Sequence, residues 1–215
     1  MSLGFFESKY GEAFRELGIP LTPGDGVPEY EIGIQEQVFE FQIPKSLRVF
    51  YSVAGNHELV KSMDDLYPIG ELYLWEDYLV FMRVQEDSIS WGIRVESIND
   101  LDPVVHAGLD AKFLEPYSEE KRCSDFLMLM ICTKAISGGF EHSIDGHIKL
   151  SVAMDIKNNW KSIGGGFYSS SGKLVYFSEE KMGDDESILV TLAGRTEKDF
   201  MDIMWTLSPR TFSIT

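Results

Sequence analysis

This 215-residue chain predicts an α+β fold, with a mainly antiparallel sheet packed against several helices. Three observations carry the expectation. Apolar residues recur at three- and four-residue spacing near both ends, as the buried faces of helices do. In the middle they alternate with polar residues, as half-buried strands do. The gaps between the alternating segments are of turn length, which suits a meander. No internal repeat, low-complexity tract or linker breaks the pattern, so one domain over residues 1–215 is the economical expectation.

Phe6, Tyr10, Ala13, Phe14 and Leu17 form the inward stripe of a first helix, stopped by Gly18 and Pro20. Residues 20–42 are rich in Pro, Gly and acid and read as a surface loop, with an edge strand near 37–41. Pro44 suits the start of a second helix, with Leu47, Phe50, Tyr51 and Ala54 inward and Gly55 as its stop. Strands are expected over 72–75, 78–84, 89–95 and 104–106. In the third of these, Ile89, Trp91 and Ile93 alternate with Ser88, Ser90 and Arg94, which puts Trp91 on the inner face. Gly92 there leaves room for a neighbouring backbone or side chain. Phe50, Phe81, Trp91 and Ile93 are the expected core centre.

Ser118 can cap a further helix whose middle, residues 126–132, is apolar on all sides and therefore buried. Gly138-Gly139 ends it. Residues 148–154 alternate with a period of two, and 169–172 separate 166–168 from 174–177 as a hairpin. Residues 188–192 supply a last strand. Thr196-Glu-Lys-Asp199 has the form of a capping box, with Phe200, Ile203, Met204 and Leu207 as the inward stripe of the helix that follows. Trp75, Trp91, Trp160 and Trp205 fall one per element, as core anchors would.

Charge is the second strong signal: 19 basic against 35 acidic residues give −16. Six acids and no base lie between Arg15 and Lys45, five and no base between Lys61 and Arg83, and four between Arg94 and Lys112. Such a field repels nucleic acid and anionic lipid, because bound phosphates need Lys and Arg to replace their counterions. It attracts basic partners and speeds their association, although acidic surfaces also serve solubility alone. No apolar run is long enough to span a bilayer and no signal peptide is visible, so a cytoplasmic protein is expected. Cys123 and Cys132 agree with a reducing compartment and fall on nearly opposite faces of one helix, which argues against a disulfide between them.

The chemical constellations are weak. Glu141, His142, Asp145 and His147 are metal-competent residue types, yet their spacing matches no common zinc motif, and a solvated loop is the simpler reading. His57 lies beside Glu58 and near Asp64, but no motif places a nucleophile next to it. Gly164-Gly-Gly166 lacks the surroundings of a phosphate loop and reads as a tight turn or bulge. No cofactor, metal or catalytic residue is expected.

One ordered set of segments goes further: the Pro-led helix ending in Ala54-Gly55, then Tyr78-Leu-Val-Phe81, then Gln85 with Trp91-Gly92-Ile93, then Asp102-Pro103. In that order and spacing the chain resembles the SUKH superfamily of immunity and cell-wall-regulator proteins, most clearly over residues 43–105 and on to about 207. The turn at 84–88 departs from the family's pattern by lacking its Asn and Gly. The resemblance implies an α+β domain without catalytic residues that neutralises a cognate polymorphic toxin, often a nuclease, by binding it. A scaffold or regulatory adaptor without a toxin partner is the alternative within the family. A metal-dependent hydrolase using His57 or the His142/His147 pair is the third reading. A nuclease has a basic cleft, and Asp64, Asp65, Glu76, Asp77, Glu86 and Asp87 are the residues expected to meet such a basic toxin domain.

Overall fold

The computed structural model describes residues 4–63, 65–84, 89–109, 115–181, 187–207 and 212–214. The fold is α+β, with two antiparallel sheets and seven helices among the described residues. The chain forms two compact units, Met1–Tyr10 with Leu21–Leu127, and Gly11–Pro20 with Met128–Thr215.

The first unit contains a five-stranded meander: four of its strands answer the four alternating segments, and the fifth lies where the sequence reads as the start of a helix. Its strands are β1 (Tyr73–Trp75), β2 (Tyr78–Val84), β3 (Ile89–Arg94), β4 (Val104–Leu109) and β5 (Tyr117–Arg122), hydrogen-bonded in that order. Around them come the start of α1 (Gly4–Glu16), α2 (Glu29–Phe39), α3 (Lys45–Ala54), the single turn α4 (Glu58–Lys61) and the start of α5 (Cys123–Lys134). α3 follows Pro44 and buries Leu47, Val49, Phe50, Tyr51 and Ala54. Phe50 meets the Tyr10 ring edge-on at 5.3 Å, and the Tyr10 hydroxyl donates to the Ser46 carbonyl at 2.9 Å.

β2 is buried from Tyr78 through Met82, so this sheet is covered on both faces at its centre. On one face Phe126 of α5 meets Phe81 at 5.9 Å and Trp91 at 6.1 Å. Phe50, Phe81 and Ile93 are fully buried as expected. Trp91 is only half-buried, because its indole N–H reaches out to donate to Glu119 at 2.8 Å. Ser90, read from the sequence as outward, is buried, because the second face is also covered. Gly92 is where the backbones come closest. A Cβ there would lie 2.6 Å from the Leu79 carbonyl oxygen and 2.7 Å from Leu109 Cδ1.

Two further expectations in this unit change. Residues 29–39 are a helix, α2, where the sequence reads as loop and edge strand; its buried face carries Ile32 and Gln35, too polar a stripe to register as inward. Ser118 lies within β5 and caps nothing at α5. The cap of α5 comes instead from Asp102, whose carboxylate accepts from Ser124 N at 2.9 Å and Ser124 Oγ at 2.7 Å.

The second unit contains a six-stranded sheet in the order β11-β6-β10-β9-β8-β7. Its strands are β6 (His142–Lys149), β7 (Lys161–Gly164), β8 (Phe167–Ser170), β9 (Lys173–Lys181), β10 (Ser187–Gly194) and β11 (Phe212–Ile214). Its helices are α6 (Leu150–Asn159) and α7 (Glu197–Leu207). Ala153 and Ile156 of α6 and Ile203 and Leu207 of α7 close over Ile148, Val175, Phe177, Val190 and Leu192. The expected hairpin forms as β8–β9, turning through Ser171 and Gly172, both at positive φ, as the favoured two-residue hairpin turn requires. Thr196 Oγ1 accepts from Asp199 N at 3.1 Å, so the capping box starts α7.

Here residues 148–154 are not a strand. β6 ends at Lys149 and α6 takes over, its inward residues Ala153 and Ile156 extending past the window in which the chain alternates. Trp205 is no core anchor, being 73% exposed on α7. Among the described residues no helix is long and apolar enough to cross a membrane.

Candidate functional site

The acids expected to meet a partner separate into two groups. Glu76 and Asp77 form the exposed turn between β1 and β2. Glu76 sits at φ 48°, and the Asp77 carbonyl accepts from Val95 N at 2.8 Å. Asp65 is half-buried beside the far end of β2, its carbonyl accepting from Arg83 N at 2.8 Å. Six residues of extended strand separate Asp77 from Arg83, roughly 20 Å at the usual rise. Asp64, Glu86 and Asp87 lie outside the described residues. The turn is therefore one candidate contact and the Asp65 end another.

The turn has neighbours that the acid count alone does not reveal. Trp75, half-buried, precedes it, with its ring 6.3 Å from that of Tyr78. The Arg94 guanidinium lies 5.6 Å from the Tyr78 ring centroid, donates from Nε to the Tyr78 hydroxyl at 3.1 Å, and pairs with Glu96 at 3.2 Å. His106 closes the group, its ring 5.6 Å from that of Tyr78. Burial, and then the Arg94 charge, push its pKa below the ordinary histidine value. Trp, Tyr and Arg are the residue types that anchor protein interfaces. Neither Glu76 nor Asp77 has a cation within ion-pair reach among the described residues, so both carboxylates are open to an incoming base.

α2 is the second feature that the sequence reading missed. Its inner side holds Ile32 and Gln35, and the Gln35 amide donates to the Leu72 carbonyl at 3.2 Å, fixing the helix beside the segment that feeds β1. Glu36 accepts from Ile43 N and from Arg48 Nε, each at 3.0 Å, and Arg48 also binds Glu29, whose carboxyl it holds below its usual range. The outer side carries Tyr30, Ile34 and Val38, 67%, 56% and 68% exposed. The signal for this was their four-residue spacing, a helical stripe that points away from the core.

Among the described residues the histidines do not converge on one another. Glu141 precedes a strand, not a loop, and His142 and His147 fall on opposite faces of β6, opposite Gly194 and Leu189 respectively. Five residues of strand put them roughly 17 Å apart along its axis, too far to share an ion. His142 stacks on Phe200 at 5.9 Å, and the Asp145 carboxylate accepts from Thr191 Oγ1 at 2.6 Å. Among the described residues no three metal-ligating side chains converge. His57 is the N-cap of α4, its Nδ1 accepting from Leu59 N at 3.1 Å; burial lowers its pKa against the pull of Asp25 and Glu58. A cleft of about 270 Å³ opens between Gln42–Lys45 and Ile98–Leu101, with no His, Cys or Ser in its lining. The glycines at 164–166 make the β7–β8 turn.

Neither a family model, nor a curated protein, nor a solved structure matches the chain.

Proposed function

We propose that the protein is a non-catalytic binding module whose acidic first unit captures a basic protein partner. The observation that carries this reading is the β1–β2 turn. Two exposed carboxylates, Glu76 and Asp77, stand there with no cation in ion-pair reach among the described residues, beside Trp75 and the Tyr78–Arg94 pair. An excess of 35 acids over 19 bases extends the same sign of field around them. Long-range attraction speeds encounter, while desolvated aromatic groups set how long the complex lasts. The ordered motifs shared with the SUKH superfamily supply the partner class: a toxin domain with a basic cleft, which an acidic surface fills as phosphate would.

The test is to reverse the turn with Glu76→Lys and Asp77→Lys and to measure association with a basic nuclease domain encoded beside this chain's gene. Association should slow about tenfold at low salt, with a shallower salt dependence and little change in unfolding midpoint. An unchanged rate and salt slope would remove the turn from the interface. Protection of cells from that nuclease by the wild type supports toxin neutralisation. Tight binding without protection would support a regulatory adaptor instead.

A further inference from the structure

Resting on that reading, we infer that the outward face of α2 is the apolar anchor of the same interface and that it docks a basic amphipathic helix of the partner. Tyr30, Ile34 and Val38 stand at i, i+4 and i+8, a straight ridge about 12 Å long on one side of the helix. Each is more than half exposed, whereas the side turned to the protein holds Ile32, Gln35 and a half-buried Phe39. A free surface helix normally has the reverse arrangement. Three of the five large apolar side chains of α2 thus face water, which is the pattern of a helix covered by a second surface.

The charges on α2 and at its end specify what covers it. α2 carries Glu29, Glu31 and Glu36, with Glu40 at its C-cap and no Lys or Arg. Arg48 engages Glu29 and Glu36, leaving Glu31 and the exposed Glu40 without a cation within ion-pair reach among the described residues. An apolar ridge bordered by acids is complementary to a helix with an apolar stripe bordered by Lys or Arg, because ridges pack into the grooves of a second helix. The inner side of the helix is anchored to the segment that leads into the charged turn. α2 is tied by Gln35 to Leu72, three residues before Trp75 and four before Glu76. Apolar contact from α2 and charge attraction from the turn would act on one partner.

The experiment uses two synthetic peptides of about five helical turns. Both have the same Leu and Lys content, but only one has its leucines on a single face. Affinities are measured by fluorescence anisotropy against the whole chain, against Ile34→Asp/Val38→Asp, and against Glu76→Lys/Asp77→Lys. The wild type should prefer the amphipathic peptide by about tenfold, as two buried aliphatic anchors provide. The α2 variant should lose that preference and keep weak, salt-dependent binding of both peptides. The turn variant should keep the preference while binding both more weakly.

If the α2 variant keeps the preference, the inference is overturned and the basic-partner reading stands. If neither peptide binds the wild type in a salt-dependent way, both fail. A dimer in sedimentation velocity that Ile34→Asp converts to monomer would assign the face to a second copy and overturn the inference. The substituted side chains are solvent-exposed, so an unfolding midpoint equal to that of the wild type certifies each variant.

Discussion

Replacing Gly92 by alanine should destabilise the first unit, and the size of the effect follows from the packing. The new Cβ would lie 2.6 Å from the Leu79 carbonyl oxygen, 3.2 Å from its carbon and 2.7 Å from Leu109 Cδ1. Two of these are main-chain atoms of β2, the strand against which β3 pairs through Val80 and Gly92. The third belongs to a fully buried leucine clustered with Tyr78 and Val80. None can yield without displacing a strand or a packed side chain. Forcing a methyl group into such a place costs about 1–3 kcal/mol. The smaller conformational freedom of alanine in the unfolded chain offsets about 0.4–1 kcal/mol of this. A net loss of about 1–2 kcal/mol should lower the urea midpoint by roughly half to one molar, at a slope of about 2 kcal/mol per molar. Gly33→Ala is the internal standard. Nothing lies within 4 Å of its added Cβ in the middle of α2, so it should stabilise by about 0.5–1 kcal/mol. A Gly92→Ala protein as stable as the wild type, with Gly33→Ala behaving normally, would refute the reasoning about strand contact.

Two further outcomes follow from titratable groups. The folded-state pKa of His57 is depressed, so the unfolded chain takes up its proton first as pH falls through about 6.5. This term removes stability on acidification and is silent well above pH 7. His57→Asn retains a capping side chain without the titration, so the gap in melting temperature between wild type and variant should move in the variant's favour from pH 7 to 5; a pH-independent gap would refute this. Burial raises the Cys123 thiol far above its ordinary range and pushes Cys132 up to about 12. Neither should react with a thiol-specific disulfide reagent at pH 8 in the folded protein, while both react in denaturant; rapid labelling of the native state would contradict their burial.

The central meander was legible because two signals agreed there, period-two alternation and turn-length gaps. The strand at 78–84 is the clearest case, its bounds matching β2. Where the signals conflicted, sequence reading failed for identifiable reasons. α2 hides its helical nature because its apolar stripe points outward and Gly33 lowers its propensity. At 148–154 a few alternating residues imitate a strand that tertiary packing ends at Lys149. The site was legible as charge but not as geometry. Composition identifies an acidic first half, yet only the course of β2 shows that Asp65 and the Glu76-Asp77 pair stand at opposite ends of a strand. The ridge on α2 could have been found by asking which helical stripes lack a partner.

The reach of Asp102 to the start of α5 bears on the order in which the chain can assemble. Ser124 N has its acceptor on a residue 22 positions earlier, and Cys123 N donates to the Pro103 carbonyl at 2.8 Å. The first turn of this helix is therefore completed by chain that has already been synthesised, never by its own neighbours. Such a segment, apolar around its circumference, would be hazardous if it became helical early and alone, with nothing to cover it. Tying its start to the β3–β4 connection means that the first turn of the helix gains its cap only once that connection is in place.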